Sequence, residues 1–111
     1  MTISYDDFHK VEMHVGTIIE AEDFPEARKP AFKLTIDFGE RIGIKRSSAQ
    51  ITVLYTKENL VGRQIIAVTN FPKKQIGKFF SEVLVLGSVD TEGVVTLLQP
   101  QQNVENGLRI S

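Results

Sequence analysis

The chain has 111 residues, 13 Lys and Arg against 14 Asp and Glu, and no cysteine. That length fits one domain with one apolar core, and the missing thiols exclude a disulfide framework, a thiolate metal centre and a cysteine nucleophile. The net charge of −1 hides an uneven distribution: residues 1–40 hold four basic against nine acidic side chains, residues 41–80 eight against one, and residues 81–111 one against four. A near-neutral chain with a cationic middle suits a local ligand patch, not wholesale coating of a polyanion.

The start, Met1 to Asp7, has neither the basic opening nor the apolar stretch of a signal peptide. No apolar run approaches the roughly 20 residues that span a bilayer. A cytoplasmic protein without membrane insertion is expected. Ser4 to Lys10 reads as a short helix capped by Ser4, with Asp6 and Asp7 in the first turn where the helix dipole favours acids. Tyr5 and Phe8, three apart, are expected to pack down on one face. Val11 to Glu22 is a long first strand whose alternation changes phase near Gly16, which marks a bulge or barrel-corner bend. After a loop closed by Pro25 and Pro30, Phe32, Leu34, Ile36 and Phe38 alternate with Lys33, Thr35 and Asp37, the pattern of a half-buried strand.

Glu40 and Arg41 form a turn into a more polar third strand, Ile42 to Ile51. Thr56 to Leu60 is one capped helical turn ended by Gly62. Gln64 to Phe71 and Glu82 to Val89 are the fourth and fifth strands. Asp90 to Gly93 is a turn before Val94 to Leu98, and a polar tail closes the chain. Uneven strands, a bend in the first and a helical turn between the third and fourth point to an all-β domain. A five-stranded OB-type barrel with a short N-terminal helix and a C-terminal extension is expected across residues 1–111.

The segment from Asn70 to Glu82 joins Phe71, Pro72, Lys73, Lys74, Ile76, Gly77, Lys78, Phe79, Phe80 and Ser81. Ammonium groups attract anions, and ring faces accept a stacked base or an apolar side chain. The plain structural alternative is a basic hairpin with one ring in the core and one at the rim. His9 and His14 lack metal-site spacing, and Ser47 and Ser48 lack a nucleophile frame or a nearby base. No catalytic residue, metal ligand or cofactor is expected.

Several blocks resemble the OB-fold tRNA-binding domain that is appended to many methionyl-tRNA synthetases. They are Lys10 to Gly16, Lys33 to Gly39, Tyr55 with Glu58 to Arg63, Val68 to Phe71 with Lys73, Lys74 and Gly77, and Gly107 to Ile110. Within that family the chain most resembles the CsaA branch of export-related chaperones, on the block Gly77 to Gly87. The resemblance implies a non-enzymatic homodimer that holds unfolded or export-bound polypeptide, with a secretion motor as an open candidate partner. Phe71, Lys73, Lys74, Ile76, Lys78, Phe79 and Phe80 would line the peptide site. The alternative ligand is tRNA, held by Lys33, Lys45, Arg46, Asn70, Lys73, Lys74, Lys78 and Ser81. Tyr5, Phe8, Val104, Leu108 and Ile110 would help build the dimer interface, the alternative being a tail folded onto its own barrel.

Overall fold

The computed structural model describes residues 1–111. Its centre is β1 (Met13–Asp23), which pairs antiparallel with β4 (Gln64–Val68) along its first half and with β2 (Phe32–Asp37) along its second. β3 (Ile44–Ala49) extends β2, and β7 (Leu84–Val85) extends β4, giving the order β3-β2-β1-β4-β7. Residues 81–83 then close the sheet onto β3. Glu82 N donates to Arg46 O at 2.7 Å, Ser48 N to Ser81 Oγ at 3.1 Å, and Ser47 Oγ to Val83 O at 2.9 Å. The result is a nearly closed, OB-like antiparallel barrel.

The core follows the alternation of β2: Leu34, Ile36 and Phe38 are fully buried and Phe32 nearly so. Ile18, Leu60, Ile65 and Ala67 complete its centre. The bend in β1 lies elsewhere than expected. Its register shifts between Ile18 and Glu20, so Ile19 is the bulged residue and points outward at 44 % exposure. Gly16 serves close packing: a Cβ there would lie 2.7 Å from Ile36 Cγ2 and 2.8 Å from the Phe38 ring.

Other boundaries also move. The expected turn at Glu40 and Arg41 is a helical turn, α2 (Gly39–Ile42). The third strand stops at Ala49 and the fourth at Val68. The expected fifth strand breaks into β7 and β8 (Gly87–Val89) at Leu86, whose N–H still donates to Ile66 O on β4 while its carbonyl already accepts from Leu98 N. β8 pairs with β9 (Val95–Leu97) across the turn at Asp90. α3 (Lys57–Leu60) carries a reciprocal Thr56–Asn59 cap. Two short strands, β5 (Lys74–Ile76) and β6 (Phe79–Ser81), form a separate hairpin.

α1 (Tyr5–His9) has a reciprocal Ser4–Asp7 cap, which holds the Asp7 carboxyl below its ordinary range. Tyr5 does not pack down beside Phe8. Its ring lies 4.3 Å from that of His9, one turn on, and the residue is 70 % exposed. The C-terminal tail lies against its own barrel. Gly107 N donates to Val15 O, Val15 N to Leu108 O, and Ile110 N to Met13 O, at 2.8–3.0 Å. The Gln64 amide clamps Val104 in both directions, through Val104 N and Val104 O. Val104 and Ile110 are therefore half-buried within the chain, while Leu108 stays exposed.

Between tail and barrel lies His14, 3 % exposed. The Thr69 hydroxyl donates to Glu12 O (3.2 Å) and so accepts from His14 Nδ1 (2.8 Å). That leaves the Nε2 lone pair facing Arg41 Nη2 at 3.5 Å. Burial, then the Arg41 guanidinium, holds this imidazole below its ordinary 6.5, so it is neutral at pH 7.

Candidate ligand-binding face

The β5–β6 hairpin turns through two residues, Gly77 and Lys78, with Gly77 at φ 62°, a conformation that only glycine adopts freely. Its register fixes which side chains share a face. Lys74 stands opposite Ser81 and Ile76 opposite Phe79, while Gln75 stands opposite Phe80. Directly opposed residues lie on the same side of a ladder and successive residues on opposite sides. Phe79 therefore turns inward with Ile76, and Phe80 turns outward beside Gln75. Phe79 is 9 % exposed and Phe80 48 %. The expected display of two adjacent rings is corrected to one: the plain alternative, one ring in and one at the rim, describes this hairpin.

Phe79 packs in a small satellite cluster with Phe24 and Ala31 from the β1–β2 loop, with Ile76 and Ala27 against it. The cluster joins that loop to the hairpin. Cations cover its two ends: Lys33 Nζ lies 5.6 Å from the Phe24 centroid, and the Arg46 guanidinium 4.8 Å from the Phe79 centroid. Arg46 Nη2 also donates to Glu22 Oε1 at 2.9 Å, and Arg46 N to Glu82 Oε1 at 3.0 Å. With side chains 39 % and 42 % exposed, the Arg46–Glu22 pair stabilises the fold by at most about 1 kcal/mol. Its effect is on the orientation of the guanidinium.

Three neighbouring depressions run along this side of the barrel, and Lys74 lines all of them. The first, about 310 Å³, is walled by Phe71, Pro72, Val83 and Leu84, with Lys74 and Glu82 at its edge. The second, also about 310 Å³, lies against β3 and is mostly apolar, with Ile51, Ile76 and Val95 in its wall. The third, about 420 Å³, sits between hairpin and β1–β2 loop, where Arg28 and Lys29 face Gln50 and Gln75. The groove is thus apolar at one end and basic at the other. No carboxylate lies within 4.0 Å of the amino or guanidinium groups of Arg28, Lys29, Lys33, Lys73, Lys74 or Lys78.

The remaining residues singled out from sequence fall in different places. Lys45 stands opposite buried Ile36, so it belongs to the other side of β3 from Arg46. The Asn70 side chain is engaged at both ends: Oδ1 accepts from Glu12 N (3.0 Å) and Nδ2 donates to Lys10 O (2.7 Å). Ser81 Oγ is used in closing the barrel. Phe71 is 52 % exposed at the apolar end of the groove. Sequence reasoning missed Glu22, Phe24, Arg28, Lys29, Glu82 and Leu84. The adjacency of Arg28 and Lys29 was the available signal, since in this class of barrel the first loop lies beside the hairpin.

A barrel closed in this way, with a basic and apolar groove between its first loop and the hairpin after β4, defines an OB-type domain. A family model described as "Putative tRNA binding domain" matches residues 13–109, and the chain belongs to that family. It is similar over its whole length to the solved CsaA chaperone of Bacillus anthracis, with 50 % identity, TM-score 0.95 and full coverage of both chains. It is likewise similar to the CsaA chaperone of Picrophilus torridus, with 54 % identity and TM-score 0.92 over 99 % of this chain and 100 % of that one. The methionine–tRNA ligase of Methanocaldococcus jannaschii is 33 % identical over 97 % of this chain, which spans only 16 % of that enzyme.

Proposed function

We propose that the chain acts without catalysis as a chaperone, holding unfolded or export-bound polypeptide in this groove. The likeness to two CsaA chaperones at 50 % and 54 % identity along the full chain carries the reading. The groove supports it: Phe71 and Leu84 offer apolar contact in its wall, and Phe80 adds an exposed ring on the outer side of the adjoining hairpin. Lys74 in the groove, with Lys73 and Lys78 beside it in the same segment, favours acidic stretches and disfavours cationic ones. Ile76 and Phe79 support the hairpin from beneath. Suppression of aggregation of a reduced, unfolding client such as lactalbumin tests it. The parent protein delays light scattering, and the double variant Phe71→Ala with Phe80→Ala does not. Equal protection by the two proteins refutes the reading.

A second reading, tRNA binding, is favoured by the family match and by the unpaired cations of the groove. Lys33, Lys73, Lys74 and Lys78 would neutralise phosphates, joined by Arg28 and Lys29, with Arg46, already paired with Glu22, beside them. Lys45, on the other side of β3, falls outside this set, and the Asn70 and Ser81 side chains are engaged in holding the fold. Gel shift of a tRNA transcript at low salt tests it, and absence of a shift removes it.

Pairing of two copies fits both readings, because it doubles the ligand face. Tyr5 and Leu108, at 70 % and 47 % exposure, would form its apolar centre with Ile3 and Val11 beside them. Phe8, Val104 and Ile110, half-buried already, would back them. Arg109 Nη2 donates to His9 O at 2.7 Å and so holds tail and helix together for such a contact. Sedimentation measures the mass directly.

A further inference from the structure

Arg46 lines none of the three depressions but stands beside them over Phe79. Unlike Arg28, Lys29, Lys33, Lys73, Lys74 and Lys78 on this side of the barrel, it is paired with a carboxylate. That partner, Glu22, has another cation opposite it in the ladder. Lys33 stands directly opposite it on β2, yet the carboxylate reaches past to Arg46 Nη2 at 2.9 Å, and the Lys33 ammonium lies over Phe24 instead. The guanidinium carbon lies 4.8 Å from the Phe79 centroid and Nη2 bonds Glu22, with over a third of the side chain still open to solvent.

We propose that Glu22 is a specificity determinant, a resident carboxylate that occupies Arg46 and biases the groove against polyanionic ligands. The inference rests on the reading of this groove as the ligand face. A phosphate arriving at Arg46 meets a site where a negative charge is already seated, and two anions on one guanidinium repel each other. It must displace Glu22 or share the edge with it. A polypeptide segment meets no such obstacle, because its carbonyl oxygens carry no net charge and the guanidinium has donors left over. The cations without a partner, Lys74 foremost, remain available to either ligand. One acidic side chain at the end of β1 thereby sets the balance between the two ligand classes.

The test compares the parent with Glu22→Gln, using a tRNA transcript titrated across a range of salt and, separately, aggregation of reduced lactalbumin. Glu22→Gln is expected to tighten tRNA binding about fivefold to tenfold at low salt. It should also steepen the plot of log affinity against log salt by about 0.7 to 0.9, the signature of one added phosphate contact. A merely structural role would not move that slope. Protection of lactalbumin is expected to stay at the parent level. Glu22→Asp, which keeps the charge, should bind tRNA within about twofold of the parent. Adding Arg46→Ala to Glu22→Gln should abolish the gain.

Folded Glu22→Gln that binds tRNA no better than the parent, including no binding by either, overturns the inference. If Glu22→Gln does not fold, single variants decide: Arg46→Ala in the parent should weaken tRNA binding less than Lys74→Ala, and the reverse order overturns it. A parent that gives lactalbumin no protection sinks the chaperone reading alone, since the tRNA measurements still stand or fall by themselves.

Discussion

Phe24 and Phe79 meet edge to face, ring centroids 5.2 Å apart and planes at 61°. One comes from the β1–β2 loop and the other from the β5–β6 hairpin, so their contact ties together the two elements that wall the basic end of the groove. A pair of this geometry contributes about 0.5–1.5 kcal/mol beyond the area it buries. The loop carries Arg28 and Lys29 and the hairpin carries Lys74; the ring pair is what brings these cations to one depression.

Phe79 and Phe80 are therefore expected to separate cleanly on mutation. Phe79→Ala removes a buried ring and leaves a cavity, costing about 3 kcal/mol. Phe80→Ala removes a half-exposed ring and changes stability by less than about 1 kcal/mol, while weakening protection of an unfolded client. Urea midpoints and a light-scattering assay on the two single variants check this. Equal loss of stability in both would contradict the faces assigned to the hairpin.

Lys74 lines all three depressions and has no carboxylate partner. Lys74→Ala is expected to weaken tRNA binding and flatten its salt dependence by about 0.7 to 0.9 in log–log slope. Lys45→Ala, on the other side of β3, is expected to leave the slope near the parent value. The same titration reads both.

Gly16→Ala is expected to destabilise the barrel by about 1–3 kcal/mol, the usual cost of forcing a methyl group into a packed core. The new carbon would press on Ile36 and Phe38, both buried side chains of the same core. A fall in the thermal unfolding midpoint measures the effect, and an unchanged midpoint would show that β1 can shift to accept it.

His14 sets a pH dependence of defined sign. In the folded chain its proton affinity lies below the ordinary 6.5 because it is buried next to Arg41, with Arg109 acting in the same direction and Glu12 opposing. The unfolded chain therefore takes up the proton first as pH falls. The stabilising contribution is complete above about 6.5 and is lost as pH drops from there through the depressed folded value. Urea midpoints at pH 7.5 and pH 5.5 should differ in that direction, and His14→Gln should reduce the difference. An equal difference in the variant would place the titrating group elsewhere.

Much of this was legible in the residues. The alternation of Phe32, Leu34, Ile36 and Phe38 named the inner face of β2, and the Ser4 and Thr56 caps placed two helical turns. Periodicity carries such information because a strand's two faces follow from backbone geometry alone. Gly16 misled: its neighbours' change of phase was real, but the extra residue is Ile19, three positions on. The tail's attachment was also undecided, because its hydrogen bonds to Met13 and Val15 are made by main-chain atoms that no side-chain pattern reports.

What the chain determined by itself was a small β-barrel with a basic, aromatic segment after its fourth strand, since composition and two-residue periodicity act locally. Only the tertiary structure decided which of two neighbouring phenylalanines faces solvent and which cations converge. It also decided that Glu22 sits on Arg46, a residue 24 positions away. Those outcomes depend on hairpin register and on a loop folding back over it, and a shift of a single residue in register would exchange every side chain from one face to the other.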